Sequence, residues 1–132
     1  MIRIRRDRLD LWLDALRSGE FEQAQGALRI GRYNGEDKFC CLGVGCEVAV
    51  RNGLDVLVYL NHFANEYTYD DAITSPSLTV WDWFGVDVDY TDSRRDIDEL
   101  VDKCITMNDR EGKTFAEIAD WIENNVEAYN AF

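Results

Sequence analysis

Apolar residues recur with helical spacing at both ends of the chain. Between Asp7 and Ser18, Leu9, Trp12, Leu13 and Leu16 fall at i, i+3, i+4 and i+7, which predicts a helix with one buried face and a left-handed stop at Gly19. Near the other end, Thr114 and Glu117 form a capping-box pair ahead of Phe115, Ile118, Ala119 and Ile122, which predicts a helix from Thr114 to about Ala128. Each stripe needs a cover, so residues 9, 12, 13 and 16 are expected to pack with 115, 118, 119 and 122 in one core.

The middle of the chain alternates between the two periodicities. Asn34-Gly35 suits a tight turn because both residues tolerate positive φ, and it predicts a β-hairpin from residues 27–33 and 36–40. Cys41 to Asn52 carries Leu42, Cys46 and Ala49 at helical spacing before Gly53, although Gly43 and Gly45 weaken this short buried helix. From Leu54 to Thr74 the period drops to two, with Val56, Val58 and Leu60 and then Tyr67 and Tyr69, as in a second strand pair. Ser75-Pro76 reads as an N-cap followed by the first helical position of a short helix through Trp81, Trp83 and Phe84 to Gly85. Ile97, Leu100, Val101 and Cys104 mark another helix from about Arg94 to Ile105. The fold class expected is α+β, a single compact domain over 1–132 with four or five helices packed on short antiparallel hairpins.

Composition agrees with a folded chain. The 132 residues, 46% of them hydrophobic, are enough for one core and few for two. Four Trp, six Tyr and six Phe argue against disorder. No run is long and apolar enough for a bilayer, and the segment after Met1–Arg8 is amphipathic where a signal peptide would have an apolar core, so the expected compartment is the cytoplasm.

Charge narrows the partners. Of the net −12, residues 1–32 hold seven arginines against five acids, and residues 33–132 hold seven basic residues against 21 acids. Eight acids lie between Asp82 and Asp102, opposed only by Arg94 and Arg95. Direct duplex DNA binding is therefore not expected, and a nucleotide contact would have to use the arginine-bearing N-terminal third. The plainest reading of the acid run is a solvated surface that maintains solubility.

The residues give little support to catalysis. Without a secretion signal, Cys40, Cys41, Cys46 and Cys104 are expected to be reduced, buried thiols, and adjacent Cys40 and Cys41 do not suit a disulfide. Zinc would need a C-x-x-C knuckle that is absent, even with His62 as a fifth ligand, so no metal is expected. Cys40 or Cys41 could act as a nucleophile at a helix N-terminus, but core packing is the simpler role. His62, the only histidine, has no triad setting, and the Asp70-Asp71 pair is uninformative among so many carboxylates. Asp87, Asp89 and Asp92 fail as a calcium loop because Asp92 stands where glycine is required and Asp98 where Glu is. Neither G-x-G-x-x-G nor G-x-x-x-x-G-K-[ST] is present, and no cofactor is expected.

A binding role asks for less. Arg29 and Arg32, near Gln23, Gln25, Tyr33 and Phe39, offer forked phosphate donors, amide donors and stacking faces for a small anionic, base-containing ligand. In a regular strand the two arginines point to opposite faces, and ordinary surface arginines are the competing explanation. Asn108 and Asp109 could contact hydroxyls or base edges, or could form a turn before the last helix.

Four blocks carry a family resemblance: WLDALRSGEFEQAQGALR (12–29), KFCCLGVGCEVA (38–49), SPSLTVWDWFGV (75–86) and MNDREGKTFAEIADWIE (107–123). In that order they resemble a family of small bacteriophage proteins with an A-L-R-S-G helix end, F-C-C-L-G-V-L-C, P-x-x-V-x-x-W-x-G and L-N-D before F-x-E-I-A-D-x-I-E. This sequence departs from that pattern at Gly45, Ser75 and Met107. The resemblance implies a phage- or prophage-encoded accessory protein acting in the bacterial cytoplasm, and it brings no catalytic residues with it. Three classes follow. One is a non-catalytic counter-defence protein that sequesters a small nucleotide-type signal through Gln23, Arg29, Arg32 and Phe39, with Asn108 and Asp109. Another is an acidic decoy or interaction inhibitor that uses the 82–102 surface against a host DNA-binding or defence protein. The last is a small enzyme without a recognisable motif.

Overall fold

A computed structural model describes residues 1–31 and 36–131. The elements run β1 (Arg3–Arg5), α1 (Arg6–Arg17), β2 (Glu22–Gln23), β3 (Arg29–Ile30), β4 (Lys38–Phe39), α2 (Cys41–Arg51), β5 (Val58–Asn61), β6 (Glu66–Tyr69), α3 (Leu78–Trp83), α4 (Thr91–Ile105), a π-helical turn (Thr106–Arg110), α5 (Phe115–Asn125) and β7 (Glu127–Tyr129). The fold is α+β: five α-helices, a mixed five-stranded sheet in the order β2-β4-β3-β6-β5, and a parallel pair of β1 with β7. None of the described helices is long and apolar enough to cross a membrane.

Helix α2 is the centre of the packing. Its residues from Cys41 to Val48 are buried on every side except at Glu47, the pattern of a helix enclosed by others. Helices α1, α3 and α4 and strand β4 surround it. Both glycines that weaken it in isolation permit close approach. A Cβ on Gly43 would lie 1.7 Å from the Leu28 carbonyl oxygen, and one on Gly45 would lie 3.2 Å from Trp12 Nε1. The Trp12 indole N–H donates to the Cys41 carbonyl at 3.0 Å, and its ring meets Phe84 at 5.4 Å and Trp81 at 6.2 Å. The two terminal stripes meet as expected: α1 packs on α5, with Leu9, Trp12, Leu13, Leu16, Phe115, Ile118, Ala119 and Ile122 all buried in one cluster.

Several boundaries differ from the sequence reading for definable reasons. Helix α5 stops at Asn125, short of Ala128, because Val126 turns extended (ψ 136°) and β7 pairs in parallel with β1. Asn124 and Asn125 fold back onto the carbonyls of Asp120 and Trp121 and help close the helix end. Ser77, and not Ser75, is the residue before α3, so Pro76 lies outside the helix; Gly85 does end it, at φ +85°. Helix α4 begins at Thr91, one turn before Arg94, and continues into the π turn, which no periodicity announced. The hairpin over 27–33 and 36–40 is present as the antiparallel β3–β4 pair, while its Asn34-Gly35 turn, with Arg32 and Tyr33, lies outside the described residues. Strand β2, parallel to β4, and strand β1 were not anticipated.

Leu13→Ala and Ile118→Ala are each expected to cost about 2–5 kcal/mol as buried truncations. Gly43→Ala should cost more than about 4 kcal/mol, because its methyl would meet backbone, which has nowhere to shift. Gly45→Ala, which meets a side chain, should cost about 1–3 kcal/mol. Urea denaturation of the four variants checks this order; equal losses at Gly43 and Gly45 would contradict the close approach to Leu28.

Candidate functional site

The π turn after α4 presses one polar side chain into the core. Asn108, 1% exposed, uses the full capacity of its amide. Its Oδ1 accepts from Gln23 Nε2 (2.9 Å) and the Cys41 backbone N–H (3.2 Å), and its Nδ2 donates to the Ala24 carbonyl (2.7 Å) and Asp109 Oδ1 (2.8 Å). Gln23 also donates to the Lys113 carbonyl, and Asp109 Oδ2 accepts from the Gly26 N–H. Gln23 and the adjacent Asn108 and Asp109, distant from it in sequence, thus form one network. It fixes the β2–β3 connection and the α2 N-terminus to the π turn.

Beside this network lies a cavity of about 200 Å³, open to solvent where Gly26, Thr74 and Asp109 are exposed. Gly26 and Ala27 form one wall, Cys40, Cys41 and Leu42 at the start of α2 another, and Ile105, Asn108 and Asp109 a third, with the exposed Thr74 also lining it. The lining is mainly apolar, with the Asp109 carboxylate as its charged group. Sulfur chemistry at this wall is muted. Burial raises the Cys40 thiol to about 12, helped by neighbouring Cys41, and its Sγ accepts a bond from the Gly43 N–H as the N-cap of α2. Cys41 is pushed well above its usual value by its side-chain contact with Cys104 and by burial, and Cys46 is raised by burial. All four cysteines are free and buried.

The remaining sequence candidates lie in a separate group. Arg29 stacks over Tyr67 (3.9 Å) and Phe39 (5.0 Å), the latter largely buried. Its Nε and Nη2 donate to Asp37 Oδ2, its Nη1 donates to the Tyr69 hydroxyl at 3.2 Å, and Glu47 stands 3.5 Å away. The Tyr69 hydroxyl in turn donates to Glu47, and burial together with that carboxylate raises its pKa. Arg51 is held likewise by Glu20 (2.6 Å) and Glu47 (3.1 Å). The hollow here, about 360 Å³, is bordered by two guanidiniums and by Glu20, Glu36, Asp37 and Glu47. A phosphate would have to displace carboxylates already in place. Arg29 and Phe39 are therefore brought together, but apart from the Asn108 cavity, and Arg32 lies outside the described residues.

Sequence reasoning missed Gly26, Thr74 and Ile105 as cavity residues, and Asp37, Glu47 and Tyr69 as partners of Arg29. Gly43 carried a usable signal, since glycine inside a helical pattern marks close backbone approach. Among the described residues no group of three His, Cys, Asp or Glu side chains is arranged to hold a metal ion.

Asn108→Ala should cost about 3 kcal/mol or more, because several buried groups lose partners together. Asn108→Asp cannot donate to Ala24 when ionised and faces the Asp109 carboxylate, so its loss should shrink as pH falls toward 4 and the carboxyl gains a proton. Thermal melts across that range measure both. The thiols give a second pH signature. Their folded values lie above the ordinary 9.0, so the folded state keeps protons that the unfolded state releases. Stability should be unaffected by them below pH 9 and should fall as pH rises from there, by up to about 1.4 kcal/mol per pH unit for each thiol. The same melts on Cys→Ser variants should show a shallower fall.

No curated protein matches the chain, and no solved structure does. The profile of one family, described as a domain of unknown function (DUF8296), matches residues 5–126. That match takes in every element from α1 to α5, together with the Asn108 network and the cavity, and the chain belongs to this family.

Proposed function

We propose that the protein is a non-catalytic binding protein that holds a small nucleotide-type molecule, base first, in the cavity beside Asn108 and Asp109. On this reading it is a phage- or prophage-encoded accessory protein that sequesters such a signal in the bacterial cytoplasm and so interferes with a host defence. The observation that carries the binding role is the cavity itself, whose walls are fixed by a saturated hydrogen-bond network and whose charged group is an acceptor. A volume of about 200 Å³ suits a single ring system better than a string of phosphates. Apolar Ala27, Leu42 and Ile105 would contact the ring faces, and Asp109 would accept from an amino or ring N–H edge. Thiols held protonated by burial are poor nucleophiles, which favours retention of a ligand over its turnover.

This moves the expected contacts from Arg29 to Asp109. Calorimetric titration against nucleosides and against mono-, di- and cyclic nucleotides is expected to show binding that depends on the base more than on phosphate number. Thr74→Trp, at an exposed position on the lining, should weaken it at least tenfold with an unchanged melting temperature, and Asp109→Asn should weaken it as well. Arg29→Ala should instead lower stability by about 1–3 kcal/mol, since it strands Asp37, Glu47 and Tyr69. If no nucleoside or nucleotide binds below millimolar concentration, the proposal fails.

A second reading has its own observation. Asp82, Asp87, Asp89, Asp98, Glu99 and Asp102 are exposed and, among the described residues, make no ion pair. Such a surface would suit a basic groove on a host DNA-binding or defence protein. Charge reversal at Asp98, Glu99 and Asp102 that abolished capture of a host protein, with nucleotide titrations blank, would favour it.

A further inference from the structure

Strand β5 forms one edge of the five-stranded sheet, with β6 as its neighbour on one side and, among the described residues, no strand on the other. The Asp70 N–H donates to the Leu57 carbonyl at 2.9 Å, and the ladder continues in register through Val58↔Tyr69 and Leu60↔Tyr67. Antiparallel alternation then directs the N–H and C=O of Tyr59 and Asn61 toward β6, and those of Val58 and Leu60 toward the open edge.

Edges of this kind are normally blunted by lysine, proline or a bulge. Residues 56–64, VLVYLNHFA, contain no proline and no Asp, Glu, Lys or Arg, and the β5–β6 register is unbroken. Three large apolar side chains stand in solvent on this one hairpin: Leu57, Tyr59 and, fully exposed, Phe63.

We propose that the β5 edge pairs antiparallel with the β5 edge of a second copy of this chain, joining two sheets about a two-fold axis. Charge selects this occupant. The chain carries −12, so a basic partner would be drawn to the acidic surface, whereas an uncharged edge gains nothing from a charged one. Another copy offers an equally uncharged strand, and antiparallel pairing of identical strands is self-complementary. Asp55, Glu66, Asp70 and Asp71 flank the strand in sequence or across the hairpin, and together with the net charge they oppose association at low ionic strength. Pairing along four residues buries little area, so the dimer belongs to the weak, reversible class.

Sedimentation equilibrium of the full chain, up to roughly 1 mM, at low and high salt, tests this. The weight-average mass is expected to rise from 15.3 kDa toward twice that value with concentration, and more steeply at high salt, which screens the repulsion. Tyr59→Glu and Val58→Pro, the first adding like charge to an already acidic hairpin and the second removing an outward N–H, should each hold the mass at 15.3 kDa. In the wild-type protein, where folding is not at issue, amide exchange at Val58 and Leu60 should slow as concentration rises. A constant mass of 15.3 kDa, association that weakens with salt, or exchange at these two amides that ignores concentration would overturn the proposal.

Discussion

A single buried amide holds together parts of the chain that regular structure barely connects. Strands β2, β3 and β4 contain two residues each, so their ladders supply few hydrogen bonds. Asn108 compensates by reaching Gln23, Ala24, Cys41 and Asp109 at once. Each bond contributes only about 1 kcal/mol net, but a buried group left without its partner loses about 1–3 kcal/mol, so the network fails together. The π turn is what allows it. Its wider backbone spacing turns Asn108 inward beside Met107, and the position of α2 relative to the β2–β3 connection follows.

Charge is organised by the same economy. The N-terminal arginines, which in sequence look like donors awaiting a ligand, fasten the acidic body to itself. Arg17 spans from α1 to Asp120 and Glu123 on α5, Arg3 pairs with Glu127 beside the β1–β7 seam, and Arg29 is enclosed by Asp37, Glu47 and two aromatic rings. The exposed pairs contribute little individually. Arg29 is different, because it is one-fifth exposed and most of its donors are already used. Arg3, Arg5, Arg17 and Arg29 are thus matched within the molecule, and Asp82, Asp98, Glu99 and Asp102 of α3 and α4 are among the carboxylates left facing solvent.

The sequence was most legible where one periodicity ran long enough to exclude the other. The stripes of α1, α4 and α5 predicted helices, and those of α1 and α5 their packing on each other, because a face of four apolar residues has few ways to be covered. The three-residue β1 and β7 carry no readable period, and their pairing joins the two ends of the chain. Helix α2 was legible as buried, but what its glycines admit was not, since the Leu28 carbonyl at Gly43 and the Trp12 indole at Gly45 belong to different segments. Gln23 and Asn108 have the polarity of ligand contacts, and in the fold their amides bind each other and backbone. Nothing local distinguishes an amide that binds a ligand from one that binds backbone. The contacts of Arg29 failed to declare themselves for the same reason, since Glu47 lies on α2 and Tyr69 on β6.

These constraints bear on the proposed ligand. A carboxylate on the cavity wall disfavours an anionic group beside it, so a nucleotide-type molecule would have to meet Asp109 with its base and hold its phosphates away from it. The N-terminus of α2 borders the same space and brings the positive end of the helix dipole close to the Asp109 acceptor. A full acceptor on an otherwise mainly apolar wall matches the edge of a heterocycle that carries an amino or ring N–H group. A purely aliphatic guest would leave Asp109 without that contact, and a free phosphate would meet its charge directly. The geometry that makes Asn108 unavailable to a ligand is also what holds Asp109 and the α2 terminus in fixed relation, and such fixed relation is what selective recognition of a flat, neutral edge requires.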